Sequence, residues 1–228
     1  MVASILATAA MAESAENANA LKDKDVDRID FIHYKGSVRP AKGVRPETCY
    51  KLMGVKWNPL PVSYVINPNN PQNLPQDFVT SAISTSAETW DNAMTRELFN
   101  DVYSISPTAT YGVRDYQNSI VFGPYSGSSS VIAVTSVWYN RKTKAIIEFD
   151  ILFNTAGAWT WGDGAADSSL MDLQNIATHE LGHSVGLSDL YTLACSTVTM
   201  YGYSDNGDTS KRTLEPADVT GLQKMYGV

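Results

Sequence analysis

The sequence predicts one α+β domain with a twisted, mixed β-sheet, preceded by an N-terminal extension. Strand-like segments come first along the chain and helix-like segments come later, with loops between them, an order typical of α+β domains. The 228 residues, 43% of them apolar, are enough for one sizeable hydrophobic core. Aromatic and β-branched residues become dense from Tyr50 onward, which places the domain at 49–228.

The predicted strands are short and rich in β-branched and aromatic residues. The first, at 28–34, lies in the extension and alternates polar with apolar side chains. Within the domain we predict strands at 61–66, 119–122, 131–138 and 145–153. The polar run at 140–144 joins the last two as a hairpin.

Three helices follow from their start and stop signals. Pro75 stands at a first helical position and begins a long first helix. Asp167 or Ser168 can cap a second helix, which ends before Gly186. A C-terminal helix begins near Glu215.

Charge and hydropathy exclude two classes of partner. With 17 basic and 24 acidic residues the net charge is −7, and no basic cluster is present to contact nucleic-acid phosphates. The longest apolar stretch, 2–12, is too short and too polar to span a membrane.

The N-terminus resembles the apolar part of a secretory signal, although no Lys or Arg precedes Lys22. We predict a truncated signal peptide at 1–20, a propeptide or N-terminal extension at 21–48, and a secreted protein. The alternative for the first segment is an Ala-rich terminus without a targeting role.

The two cysteines, Cys49 and Cys195, are far apart in the sequence. In an exported protein they are expected to form one disulfide that ties the start of the domain to a late loop. The alternatives are two buried free thiols, or a thiolate of Cys49 that blocks a metal site.

The chemistry of the chain is concentrated at 179–200. His179 and His183 are four residues apart on a predicted helix, so both imidazoles leave one face and can share a metal ion. Glu180 lies beside them as a candidate general base. A zinc hydrolase needs a third ligand, and Gly186 permits the chain to turn back and deliver Asp189.

Plainer interpretations of these residues exist. A His-Glu pair on a polar helix face can be solvated or ion-paired, and Asp189 can be a capping residue of its loop. The chain has only three histidines, however, and two of them occur at this spacing. We therefore predict one catalytic Zn²⁺ held by His179, His183 and Asp189.

The pattern His-Glu-x-x-His-x-x-Gly-x-x-Asp followed by a Met resembles the metzincin zinc endopeptidases, and 179–188 is close to matrixin sequences. Matrixins usually carry His at the third ligand position, whereas Asp189 is similar to the snapalysin-type metzincins. The resemblance implies a metzincin-like zincin fold with an active-site helix. It also implies that Met200 supports the ligands from below, which for a plain core methionine would be the same physical role.

The resemblance extends, less specifically, over about 50–228. It implies that 131–138 contains the edge strand that pairs with an extended substrate, a mode that suits unpaired backbone groups. A buried or self-paired strand is the alternative. It further implies that 201–203 walls the pocket for the side chain after the scissile bond. The candidate substrate-binding residues are Ala133, Val134, Thr135, Tyr201, Gly202 and Tyr203.

The chain departs from the matrixin pattern in its metal and latency signals. Only His33 remains for a second zinc, so no His-built second site is expected. Cys49 does not stand in the Pro-Arg-Cys-Gly context of the matrixin latency cysteine. Calcium could bind the acidic loops at 163–167 or 205–208, but neither fits an EF-hand and solvated loops are favoured.

These observations predict a secreted, monomeric zinc-dependent endopeptidase, made as a zymogen, that hydrolyses extended polypeptides with Glu180 as the general base. One alternative is a secreted zinc-binding protein without peptidase turnover. The other is a zinc hydrolase of short peptides. A serine hydrolase has little support, since no Gly-x-Ser-x-Gly elbow occurs.

Overall fold

The computed structural model describes residues 24–36 and 48–227. The predicted signal peptide at 1–20 lies outside the described residues. The same holds for 21–23 and 37–47 of the predicted segment at 21–48. The helices are α1 (Gln76–Asp91), α2 (Leu173–Ser184) and α3 (Pro216–Tyr226). The strands are β1 (Val26–Lys35), β2 (Val65–Ile66), β3 (Ser104–Ile105), β4 (Ser119–Gly123), β5 (Val131–Asn140), β6 (Ile146–Asn154), β7 (Trp161–Gly162), β8 (Met171–Asp172) and β9 (Tyr203–Ser204).

Seven of these strands, within 24–36 and 48–227, form one mixed sheet in the order β3-β2-β4-β6-β5-β1-β9. Strands β2, β3, β4 and β6 pair in parallel, while β5 returns antiparallel to β6 through the predicted hairpin. Strand β1 pairs antiparallel with β5 along nearly its whole length, and its end pairs in parallel with β9. The α+β class and the mixed sheet are thus confirmed.

The second domain strand is shorter than the sequence predicts. Only Val65–Ile66 of the predicted strand at 61–66 joins the sheet. Val62 instead makes an isolated bridge with Phe99, exchanging hydrogen bonds with the chain at 98 and 100. Pro61, immediately before it, has no N–H to offer a sheet ladder, which explains why the regular strand begins later.

The predicted start of the second helix, Asp167 or Ser168, is wrong. Helix α2 begins at Leu173 and its cap is Asp172, whose side chain accepts a hydrogen bond from Asn175 N at 2.7 Å. The Asp167 carboxylate accepts instead from Ser169 N within a turn. Both Asp172 and Asp167 have the chemistry of a cap, and the parallel β7–β8 pairing at 161–172 delays the helix.

The active-site helix α2 runs through the core between the sheet and α1. Eleven of its twelve residues are buried, and Trp90 of α1 donates from Nε1 to Thr178 O at 2.8 Å. A disulfide joins Cys49 to Cys195, so Cys49 is not a free thiol. None of the helices in the described residues is long and apolar enough to cross a membrane.

Candidate active site

Two histidines of α2 face the same point with fixed orientations. The carbonyl of Thr199 lies 2.7 Å from His179 Nδ1, and the carbonyl of Leu187 lies 2.9 Å from His183 Nδ1. Because a carbonyl only accepts, each Nδ1 carries a proton, and in the neutral tautomer each Nε2 has a lone pair for a metal ion. The two Nε2 atoms lie 3.1 Å apart.

The turn after α2 brings a carboxylate to these two nitrogens. Gly186 has a φ of +104°, where a side chain would be strained, and its N–H donates to His183 O. Asp189 Oδ1 then lies 3.2 Å from His179 Nε2 and 3.4 Å from His183 Nε2. The structure therefore brings together the three predicted zinc ligands.

The spacing of these three atoms fits a zinc ion. Zinc binds nitrogen and oxygen at about 2.0–2.1 Å, so tetrahedral ligand atoms lie about 3.3–3.4 Å from one another. Burial lowers the pKa of His179 to about 3, which keeps its imidazole neutral. Burial opposes ionisation of Asp189, but the neighbouring imidazoles of His183 and His179 hold its pKa well below the usual range. Two lone pairs and one carboxylate converging in the interior form a donor set that a cation stabilises.

Glu180 is buried beside the three ligand atoms and is held by two side chains. Its Oε2 accepts from Thr135 Oγ1 at 2.6 Å, and its Oε1 lies 3.1 Å from His33 Nδ1. Burial raises the pKa of Glu180 to about 7. A carboxylate with a pKa near neutrality suits proton transfer.

Met200 is fully buried below α2, as the sequence predicts for an apolar support. Its backbone N–H donates to Asp218 Oδ1 at 3.3 Å, and its carbonyl accepts from Leu190 N at 2.9 Å. Its side chain lies so close to the helix that a Cβ on Gly182 would stand 2.3 Å from Met200 Sδ. This segment therefore fixes the height of α2 above the core.

The cleft that the sequence predicts for substrate is filled by β1 of the same chain. Ala133, Val134 and Thr135 pair with His33, Ile32 and Phe31 of β1. On the other side of β1, Tyr34 N donates to Gly202 O at 3.3 Å, and Tyr34 pairs in register with Tyr203. Of the two alternatives for 131–138, the structure has the self-paired strand.

Two side chains of β1 cover the ligand atoms. The Phe31 ring stacks on His183 with ring centroids 4.1 Å apart, and the His33 ring lies against His179 at 3.9 Å. Lys211 Nζ lies 2.9 Å from His33 Nε2 and donates to the carbonyls of Tyr201 and Tyr203. Burial lowers the pKa of Lys211 to about 8, so the ammonium form still predominates at pH 7.

His33 and Lys211 are residues of this site that the sequence does not predict. His33 appeared only as the histidine left over from the motif. Its place in an alternating segment predicted a strand but not the partner of that strand. Lys211 lies in a stretch without periodicity and gives no local signal.

Among the described residues, two clusters have the composition and spacing of a metal site. One is His179, His183 and Asp189, and the other is His33, His179 and Glu180. In the second cluster both His33 nitrogens are engaged, because Nε2 accepts from Lys211 and Nδ1 then carries the proton toward Glu180. The first cluster is therefore the better metal site.

The loops considered for calcium use their carboxylates within the protein. Asp163 is paired with Arg212 at 2.6 Å, and Asp205 with Lys35 at 3.0 Å. Asp208 accepts from Ser204 Oγ at 2.8 Å. These carboxylates therefore already have partners within the protein.

Comparison with known proteins gives one family. The family model described as Matrixin matches residues 56–227. The chain is 29% identical to stromelysin-1 of Equus caballus over 175 residues, which are 75% of this chain and 33% of that protein. It is 28% identical to matrix metalloproteinase-16 of Homo sapiens over 187 residues, 78% of this chain and 28% of that protein. It is 25% identical to stromelysin-3 of Homo sapiens over 206 residues, 83% and 39% of the two chains. The chain thus spans about a third of the length of these relatives.

Proposed function

The chain belongs to the matrixin family of zinc endopeptidases, and from this premise we propose that it hydrolyses peptide bonds in extended polypeptides. The observation that carries the proposal is the convergence of two Nε2 lone pairs and one carboxylate oxygen, 3.1–3.4 Å apart, beside a buried glutamate. These residues would hold a zinc ion, which would supply Lewis acidity for polarising a carbonyl and lowering the pKa of water toward neutral.

The ligands in this proposal are His179, His183 and Asp189, with aspartate as third ligand as in snapalysin-type metzincins. Glu180 is the general base: Oε1 accepts the proton of the attacking water and passes it to the leaving amine. The hydrogen bond from Thr135 holds Oε2 and so aims Oε1. No other motif in the sequence offers comparable hydrolytic chemistry.

The second part of the proposal concerns the segment at 21–48, which we assign as a pro-segment. β1 occupies the cleft between β5 and β9, and His33 uses the oxygen of Glu180 that the reaction needs. A polypeptide can reach β5 only when β1 leaves. The disulfide between Cys49 and Cys195 supports an exported protein, and it removes Cys49 as a thiolate that could bind the metal.

The covered cleft also favours a second candidate, a zinc-binding protein without turnover, in which β1 is a permanent strand of the sheet. The ladder between β1 and β5 runs from Val26 to Tyr34, which is long for a segment that must leave. The two candidates differ in whether Glu180 has any catalytic effect.

The test compares the full chain with its Glu180→Gln variant, both loaded with zinc. We measure the bound zinc, and we detect casein fragments by mass spectrometry before and after limited proteolysis that cuts between β1 and the domain. Glu180→Gln keeps the size and position of the side chain but cannot take up a proton, so it should bind the same zinc and lose turnover.

Internal cleavage of casein by the wild-type chain alone, increasing after the cut, supports an endopeptidase with a pro-segment. Equal zinc with no cleavage in any sample, cut or uncut, refutes the endopeptidase and leaves the second candidate. A His183→Ala variant that retained one zinc per chain would show that the ligands are wrong.

A further inference from the structure

The side chain of His33 fills a closed pocket that the chain builds around it. One wall is α2, through the ring of His179 at 3.9 Å. The chain at 201–203 lies next to β1, since Tyr34 N donates to Gly202 O at 3.3 Å, and the matrixin resemblance predicts that this segment flanks the side chain after the scissile bond. Lys211 closes the end, and His33 has no exposed surface.

Lys211 is held at the end of this pocket by backbone contacts. Its N–H donates to Asn175 Oδ1 at 2.7 Å, and Asn175 in turn donates to Ser204 Oγ at 3.0 Å. Its Nζ donates to the carbonyls of Tyr201 and Tyr203, which are part of the pocket wall. Only 2% of the residue is exposed.

The third proton of this ammonium group points at the occupant of the pocket. An ammonium has three donors, and the wall accepts two of them. His33 Nε2, 2.9 Å away, accepts the third. An apolar occupant would leave a charged donor buried without a partner, which is one of the most costly defects in a protein interior.

The other end of the pocket is bordered by a carboxylate. Glu180 Oε1 lies 3.1 Å from His33 Nδ1, so an occupant carboxylate would be close to a second carboxylate. The side chain that fits both ends is uncharged, accepts a hydrogen bond from Lys211 at its tip, and carries no acceptor charge near Glu180.

The strand that carries His33 lies as a substrate strand would. It is antiparallel to β5 and parallel to β9, the two elements predicted to bind substrate, and it has backbone hydrogen bonds to both sides. A polypeptide that replaced β1 in this register would place one side chain where His33 lies.

We infer that Lys211 is a specificity-determining residue, and that its pocket takes a neutral hydrogen-bond acceptor, such as the amide of Gln or an imidazole, from the substrate residue after the scissile bond. This role of Lys211 deepens the proposed endopeptidase function and rests on it, because only a peptidase would place a substrate residue in the pocket. The chemistry of the pocket itself does not depend on turnover, and it can be tested separately.

The first experiment uses β1 as the occupant. His33→Gln and His33→Met, made in the full chain, introduce unbranched side chains of similar length that differ in hydrogen-bonding capacity. Amide hydrogen exchange at 31–34, measured by mass spectrometry, reports how often β1 opens. We expect opening to be about tenfold more frequent with His33→Met than with His33→Gln, since a hydrogen bond to a charged group is lost.

The same pair is then compared in a Lys211→Met background, where the ratio should fall to about one or invert. Equal exchange of the two position-33 variants in the presence of Lys211 would overturn the inference. The comparison made in the presence of Lys211 stands even where Lys211→Met unsettles the pocket wall, because it does not use that substitution.

The second experiment tests substrate choice in a full chain with β1 weakened. Donors alternate along a strand, and Lys35 N faces β5, where it donates to Ser130 O at 2.6 Å. Ile29 N faces the same way, so Ile29→Pro removes a ladder donor and fixes φ in mid-strand. The probes are two synthetic peptides with the sequence of 27–36, carrying Gln or Met in place of His33.

We expect kcat/KM for the Gln peptide to exceed that for the Met peptide by about tenfold or more, and the preference to disappear with Lys211→Met. A preference for the Met peptide in the presence of Lys211 would overturn the inference. Cleavage of neither peptide, with β1 open by hydrogen exchange and the exchange ratio as expected, would contradict the endopeptidase and sustain the acceptor pocket.

Discussion

Gly182 is the position where one added methyl group should reach the metal site through packing alone. It lies on α2 one residue before His183, and its Cβ would stand 2.3 Å from Met200 Sδ and 2.6 Å from Trp90 Cζ2. Both neighbours are fully buried, and Trp90 is held by its bond to Thr178 O. In the Gly182→Ala variant, Met200 must therefore move by more than about 1 Å to restore an ordinary van der Waals distance.

The net effect is the difference of two opposing contributions. Replacing Gly by Ala inside a helix stabilises the folded state by about 1 kcal/mol. Overpacking a buried site costs about 1–3 kcal/mol, and the rigid Trp90 places this site near the upper end. We expect Gly182→Ala to destabilise the chain by about 1–2 kcal/mol and to weaken zinc binding, because α2 carries two ligands and must rise or rotate.

The assay is urea unfolding with and without a chelator, together with zinc affinity from competition with a chromophoric chelator. Gly221→Ala in α3 is a milder control: it offers the same helical gain, and its Cβ would meet Tyr50 Cβ at 2.9 Å and Leu187 Cδ2 at 3.0 Å. It should leave zinc affinity unchanged. A Gly182→Ala protein as stable as the wild type, with equal zinc affinity, would refute tight packing of Met200 under α2.

Three further predictions follow from the structure. Burial raises the pKa of Asp150 to about 7, so between pH 4 and 7 the folded state holds more protons than the unfolded state and this group's stabilisation is lost as pH rises. The stability advantage of the wild type over Asp150→Asn, measured by urea unfolding, should therefore shrink from pH 5 to pH 8. A constant difference between the two proteins would contradict this prediction. Asp189→His replaces an anionic ligand by a neutral one, so the pH profile of kcat/KM should move to lower pH, and a more alkaline optimum would contradict the assigned role of the carboxylate. Replacing Cys49 and Cys195 together by Ser opens a link across 146 residues and should cost about 2–5 kcal/mol in unfolding free energy, whereas an unchanged urea midpoint would show that the disulfide adds no stability.

The sequence was most informative where the determinants are local. The helical spacing of His179 and His183, and the glycine that turns the chain back, predict that three ligand atoms converge. In the structure these atoms, which include an oxygen of Asp189, lie 3.1–3.4 Å from one another. The N-terminal cap of α3 is also local. It is a capping box, in which the side chain of Glu215 accepts from the backbone N–H of Asp218 and the side chain of Asp218 accepts from the backbone N–H of Glu215. Such contacts depend on residues three to ten apart.

The sequence was less informative where several residues could fill the same role. Asp167, Ser168 and Asp172 can all cap a helix, but only Asp172 lies at the end of β8, where it also accepts from Arg212 Nε. That arginine is 40 residues further along the chain. The same distance effect explains Lys211, whose place in the site depends on contacts with His33 and Asn175 rather than on its neighbours in the sequence.

The pairing of β1 with β5 is the decisive long-range feature, because it changes what the predicted site can do. The sequence predicted both strands separately, and it left open whether 131–138 is free or self-paired. Pairing joins residues 97 to 114 positions apart, and no periodicity encodes it. A polypeptide can use the cleft only in competition with β1, which is present at the effective concentration of a tethered segment. The affinity of the full chain for a peptide is therefore lowered by the fraction of time that the cleft is closed. For this reason the exchange rate of β1 and the kcat/KM of the full chain should vary together across the position-33 variants, whereas the zinc content should not.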